Sequence, residues 1–133
     1  MNQLFSFRHA LSVTLFLTSP MIFGEESPHT QAAIKHLEQA SENAKAGDTS
    51  GAAQHTDQAK QHAIRHEAKH PFHKSKDNTP DEQARRSHAD EAFENMNKAK
   101  MSAKQGDSTG VIKATGEAEE HLKHEESTDG LVK

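Results

Sequence analysis

The sequence predicts an all-α fold, an antiparallel up-down-up-down four-helix bundle made of two repeated helical hairpins. Three observations carry this. From Thr30 onward alanine, glutamate, lysine and glutamine dominate, all good helix formers. Two glycine-aspartate turns, Gly47-Asp48 and Gly106-Asp107, interrupt the helical runs at equivalent places. Each run also carries an apolar seam with alternating steps of four and three, as bundle helices need in order to meet along one stripe.

The elements follow in order. The first 24 residues contain one basic residue, Arg8, before an apolar run from Ala10 to Leu17; small and helix-breaking residues then lead to Gly24 and Glu25. This is the pattern of a secretory signal peptide, and the run is too short to span a bilayer as an ordinary helix. Residues 25–133 form the bundle, as a hairpin over 29–70, a link over 71–79 and a hairpin over 80–126. The first helix has the seam Ala33, Leu37, Ala40, Ala44, and the second has Ala52, Thr56, Ala59, Ala63. Pro71 stops the second helix, and Thr79-Pro80 supplies an N-cap and first-turn pair for the third. The third seam is Ala92, Met96, Ala99, Ala103, and the fourth is Val111, Thr115, Ala118, Leu122. Most of these residues are alanine, so the helices approach closely and each layer buries little area.

Gly47 and Gly106 stand 59 positions apart, and this offset organises the whole chain. It aligns His29 with His88, Ala33 with Ala92, Ala44-Lys45 with Ala103-Lys104, Gly51 with Gly110, Thr56 with Thr115, and His62 with His121. One helix-turn-helix unit is written twice.

Eleven histidines occur in 133 residues, with no cysteine, tryptophan or tyrosine. Six of them (His29, His36, His55, His62, His88 and His121) stand one residue before a seam position, on the flank that borders the core and still meets water. Residues seven apart on one helix are about 10.5 Å apart along its axis, too far to share an ion. Across a hairpin the flanks can face each other. With the first turn centred on Thr49, His36 and His62 are expected to lie level and hold one divalent metal. With the second centred on Ser108, His121 is expected to face Asn95, so the second half should bind metal more poorly. His62, His66, His70 and His73 form the densest local run. His66 and His70 lie on the extended seam, and Glu67 could add an oxygen.

Residues 66–70 read HEAKH, which matches the H-E-x-x-H string of zinc proteases. A protease needs a third ligand and a substrate cleft. The longer H-E-x-x-H-x-x-G-x-x-H form is absent, and the helix is expected to end at Pro71. No nucleophilic triad or phosphate-cradling glycine loop is visible, so no enzymatic activity is expected. A net charge of −4 disfavours nucleic acid as a partner. Neutral imidazole binds copper, nickel and zinc, and among nitrogen and oxygen donors the Irving–Williams order favours Cu(II). A helical interaction or chaperone-like protein of the cell envelope, without a metal role, is the competing reading.

The segments Ala33-Ile34-Lys35-His36-Leu37-Glu38-Gln39-Ala40, Gln58-Ala59-Lys60-Gln61-His62-Ala63 and Glu117-Ala118-Glu119-Glu120-His121-Leu122-Lys123-His124 resemble the repeats of the small metal-binding protein family. The resemblance runs over residues 29–126 and implies a periplasmic or secreted four-helix bundle that buffers divalent metals, copper above all. It carries over His36, His55, His62, His66, His88, His121 and His124 as ligands. His70 and His73 join them from the local run. The chain departs from the pattern at Asn95 and Ala114, where its own repeat would place histidines, and at the long link. Fewer or weaker sites are expected there. Metal ions are the expected partners, with the chain a monomer free of the membrane once its leader is removed.

Overall fold

A computed structural model describes residues 27–69 and 79–129, and these form four α-helices with no strand among them: α1 Pro28–Lys45, α2 Thr49–Lys69, α3 Pro80–Lys104 and α4 Ser108–Asp129. The expected leader, His70, Pro71, His73 and the link up to residue 78 lie outside the described residues. Proline at the first helical position starts α1 and α3. At α3 the Thr79 hydroxyl also accepts the Glu82 N–H at 3.3 Å, and Asp81 and Glu82 sit favourably in the first turn.

The two glycine turns share one design. Gly47 and Gly106 take φ of +83° and +73°, the left-handed region that ends a helix and strains other residues. Asp48 N–H then donates to Asn43 O, and Gly47 N–H to Ala44 O, closing the carbonyls of the last turn. Asp107 and Gly106 do the same with Ser102 O and Ala103 O. Each aspartate also caps the following helix: its Oδ1 accepts Gly51 N–H at 2.8 Å or Gly110 N–H at 2.9 Å. One residue ends a helix and begins the next, which keeps both turns short.

The helices pack as a bundle. α1 lies along α2 and α3 along α4, α1 and α2 then contact α4 and α3 respectively, and the diagonal α2–α4 contact is slight. All sixteen residues of the predicted seams are buried. One cluster joins Leu37, Met96 and Leu122 with alanines from all four helices; Ile34 and Phe93 pack on its edge. A second cluster, toward the glycine turns, has Val111 as its one residue larger than alanine. Thr56 and Thr115 sit inside the seam because their hydroxyls donate back to Ala52 O and Val111 O at 2.8 and 2.9 Å. The α2–α3 contact is partly polar: Lys60 Nζ donates to Asn97 Oδ1, and Lys100 Nζ to Asp57 Oδ1 at 2.7 Å. No described helix is long and apolar enough to cross a membrane.

Candidate metal centre

The flanking histidines are half-buried, as their position beside the seam requires. Those of α1 and α2 interleave across the helix pair. His29 Nδ1 lies 3.4 Å from His62 Nδ1, and His36 Nδ1 lies 3.4 Å from His55 Nδ1. His36 also stacks on His62, with ring centroids 5.5 Å apart. The result is a continuous ladder, His29, His62, His36, His55, with two close nitrogen pairs joined by one stacked contact. His36 Nδ1 has a further neighbour in Gln39 Oε1 at 3.1 Å.

This corrects the expected register. The turn centres on Gly47, not on Thr49, because the positive-φ glycine is where the chain reverses. Counted outward from Gly47, His36 falls between His55 and His62, so it meets both, and its close nitrogen contact is with His55. The same displacement applies at Gly106. His121 does not face Asn95; it faces His88, with their Nδ1 atoms 3.2 Å apart. His124 stacks on His88 at a centroid distance of 5.3 Å. The second half therefore keeps a histidine pair, and the reason given for its weakness does not hold.

The distances have chemical meaning. Two ring nitrogens each about 2.0–2.1 Å from a tetrahedral ion stand about 3.3–3.4 Å apart. The three close pairs, at 3.4, 3.4 and 3.2 Å, are near this spacing. In the α3–α4 pair a carboxylate joins them: Glu91 Oε2 accepts from His121 Nδ1 at 2.9 Å and lies 4.0 Å from His88 Nδ1. His88, Glu91 and His121 thus bring three donors within 4.8 Å of one another.

Electrostatics differ along the ladder. The pKa of His29 is lowered from 6.5, by burial first and then by Lys69 and Arg65. That of His62 is lowered by burial, then by His36, Arg65 and His29. Both rings are held neutral at pH 7, the form that binds metal.

His66 stands apart from its expected neighbours. The run His62, His66, His70, His73 is divided: His62 pairs into α1, His66 turns into the interior, and the last two lie outside the described residues. His66 Nδ1 and the Ser27 hydroxyl share a 2.8 Å hydrogen bond, and Nε2 lies 3.5 Å from Glu125 Oε1. His66, Glu67 and Glu125 form the second group of donors within 4.8 Å. Sequence reading placed His29 in register but did not name it as a ligand, and it missed Glu91 and Glu125. Glu125 was findable, since it stands 59 residues from His66. Glu91 has Ala32 as its counterpart at the offset of 59, but counted outward from Gly106 it stands level with His121.

No curated protein and no solved structure gives a match. The model of the small metal-binding protein family matches residues 1–80, more than half of the chain, and the protein belongs to that family.

Proposed function

We propose that the protein is a non-catalytic buffer for divalent transition metals, copper first and nickel and zinc next, exported to the periplasm or beyond and acting as a monomer. In this reading two copies of one hairpin form an antiparallel up-down-up-down bundle. His29 with His62, His36 with His55, and His88 with His121 each take one ion as cargo. The observation that carries it is the set of cross-helix nitrogen pairs, whose 3.2–3.4 Å separations suit a shared ion. Two or three protein donors leave positions open to water or another ligand, and the rings are half-exposed. Such sites load and release metal readily, which fits buffering better than catalysis. The competing envelope interaction protein would need an apolar face; among the described residues the exposed large apolar side chains are Ile64 on α2 and Met101 on α3.

Calorimetric titration with Cu(II) at neutral pH tests the proposal. The double variant His36→Ala, His55→Ala should lose one equivalent and keep its helix content by circular dichroism. An unchanged stoichiometry would sink the pairing, and a chain that takes up no metal would sink the function.

A further inference from the structure

The apolar seams of α2 and α4 both end in a polar residue. His66 follows Ala63, and Glu125 follows Leu122 at the repeat-equivalent place. Both side chains are 3% exposed, and they meet at the end of the bundle away from the glycine turns. Glu67, beside His66 on α2, brings a carboxylate whose Oε1 is buried and makes no hydrogen bond. Two carboxylates and an imidazole gathered at one place are a donor set that a dication takes, and the ion offsets the repulsion between the two carboxylates.

The geometry points to a divalent-cation site here, distinct in chemistry and in mechanical effect from the histidine pairs. His66 Nε2 and the carboxylates of Glu67 and Glu125 are its ligands, already within 4.8 Å of one another. With an ion on Nε2, Nδ1 carries the ring hydrogen and donates it to Ser27 Oγ, 2.8 Å away. One imidazole and two carboxylates, with water as a fourth ligand, suit Zn(II). The ions of the ladder clip α1 to α2, and that of His88 and His121 clips α3 to α4. This ion joins α2 to α4, the diagonal pair that otherwise barely touches. Its binding therefore tightens the bundle as a whole. The inference rests on the reading of the chain as a carrier of divalent metals, but not on the ladder.

Zn(II) titration calorimetry and thermal melts of the full chain test it. Glu125→Gln and Glu67→Gln, which preserve shape, should each lose one Zn(II) equivalent and most of the zinc-induced rise in Tm. Ser27→Ala should keep the equivalent but weaken it about 10- to 100-fold, the usual cost of losing a partner that orients a ligand. Full Zn(II) uptake and an unchanged Tm response in both glutamine variants would overturn the site. If Glu125→Gln fails to fold, Glu67→Gln and Ser27→Ala decide by the same readings. The pair His36→Ala, His55→Ala separates the two ideas. Should it lose an equivalent while the glutamine variants lose none, the ladder stands and this site falls; the opposite result leaves this site and removes the ladder.

Discussion

The α1–α2 and α3–α4 pairs align with each other at an offset of 59 residues but differ in what they carry. At the offset of 59, His36 and His55 correspond to Asn95 and Ala114, so α1–α2 carries four rings in series with two close nitrogen pairs, where α3–α4 carries three, His121, His88 and His124, with one close nitrogen pair. Apolar bulk moves the other way: Ala52 and Ala63 correspond to Val111 and Leu122. Asn95 and Ala114 are buried, whereas His36 and His55 are half-exposed. Where the ladder is missing, the smaller side chains let the flank close. Charge differs too. Ala32 corresponds to Glu91, and Arg65 to His124, so the α3–α4 pair gains an anion and loses a cation beside its histidines. The α1–α2 pair has more close histidine rings, and the α3–α4 pair has a carboxylate beside its histidines and most of the large core side chains.

The largest effects should come from breaking that division on the side of the core. Leu122→Ala empties a buried site in the main cluster and should cost about 2–5 kcal/mol of apo stability by urea unfolding. Its Cu(II) stoichiometry while folded should not change. The variant His36→Ala, His55→Ala should behave oppositely, losing an equivalent while its apo stability moves by about 0.5 kcal/mol or less per site, as expected for partly exposed flanks. A Leu122→Ala cost below about 1 kcal/mol would show that alanine contacts alone hold the bundle.

Next in size is the carboxylate. Glu91→Gln keeps the shape but removes the charge that faces both His88 and His121. Affinity at that pair should fall about tenfold, or about 1.4 kcal/mol, in a competition titration. The His29–His62 and His36–His55 pairs should titrate as before. If Glu91→Gln changes nothing, the α3–α4 pair has no advantage in donors, and only the difference in number remains.

Why the sequence revealed the seams so fully but the sites only partly has a physical answer. Heptad spacing fixes which side of a helix faces inward, and all sixteen seam residues are buried accordingly. It also fixes the flank, which is why the six flanking histidines were grouped correctly. Pairing across helices is a different quantity. It depends on where the turn reverses, and a displacement of two residues, from Thr49 to Gly47, exchanged His62 for His55 as the close nitrogen neighbour of His36. Glycine at positive φ would have been the better centre to count from. Glu91 has no carboxylate at its offset-59 counterpart, Ala32, and sits on an exposed face, yet counting from Gly106 brings it level with His121. His66 was placed on the seam, and the offset of 59 marks Glu125 at the equivalent place on α4, but their contact across the diagonal comes from the packing of α2 on α4.

The smallest effect concerns protons and isolates the cationic side of the comparison. His29 and His62 have folded-state pKa values below 6.5, through burial together with Arg65 and other neighbours. In the unfolded chain these rings titrate near 6.5 and take up protons first as the pH falls. Folding then opposes protonation, so their contribution to apo stability is intact above about pH 6.5, declines as the pH drops below it, and levels off under the folded values. Arg65→Ala removes one of the causes and should flatten this decline in melts taken between pH 7 and 5. Raising salt to 1 M should flatten the wild-type decline in the same direction, because a Debye length of about 3 Å screens the arginine from the rings. If Arg65→Ala leaves the slope unaltered, the arginine has no part in keeping His29 and His62 neutral, and burial with the remaining neighbours does so.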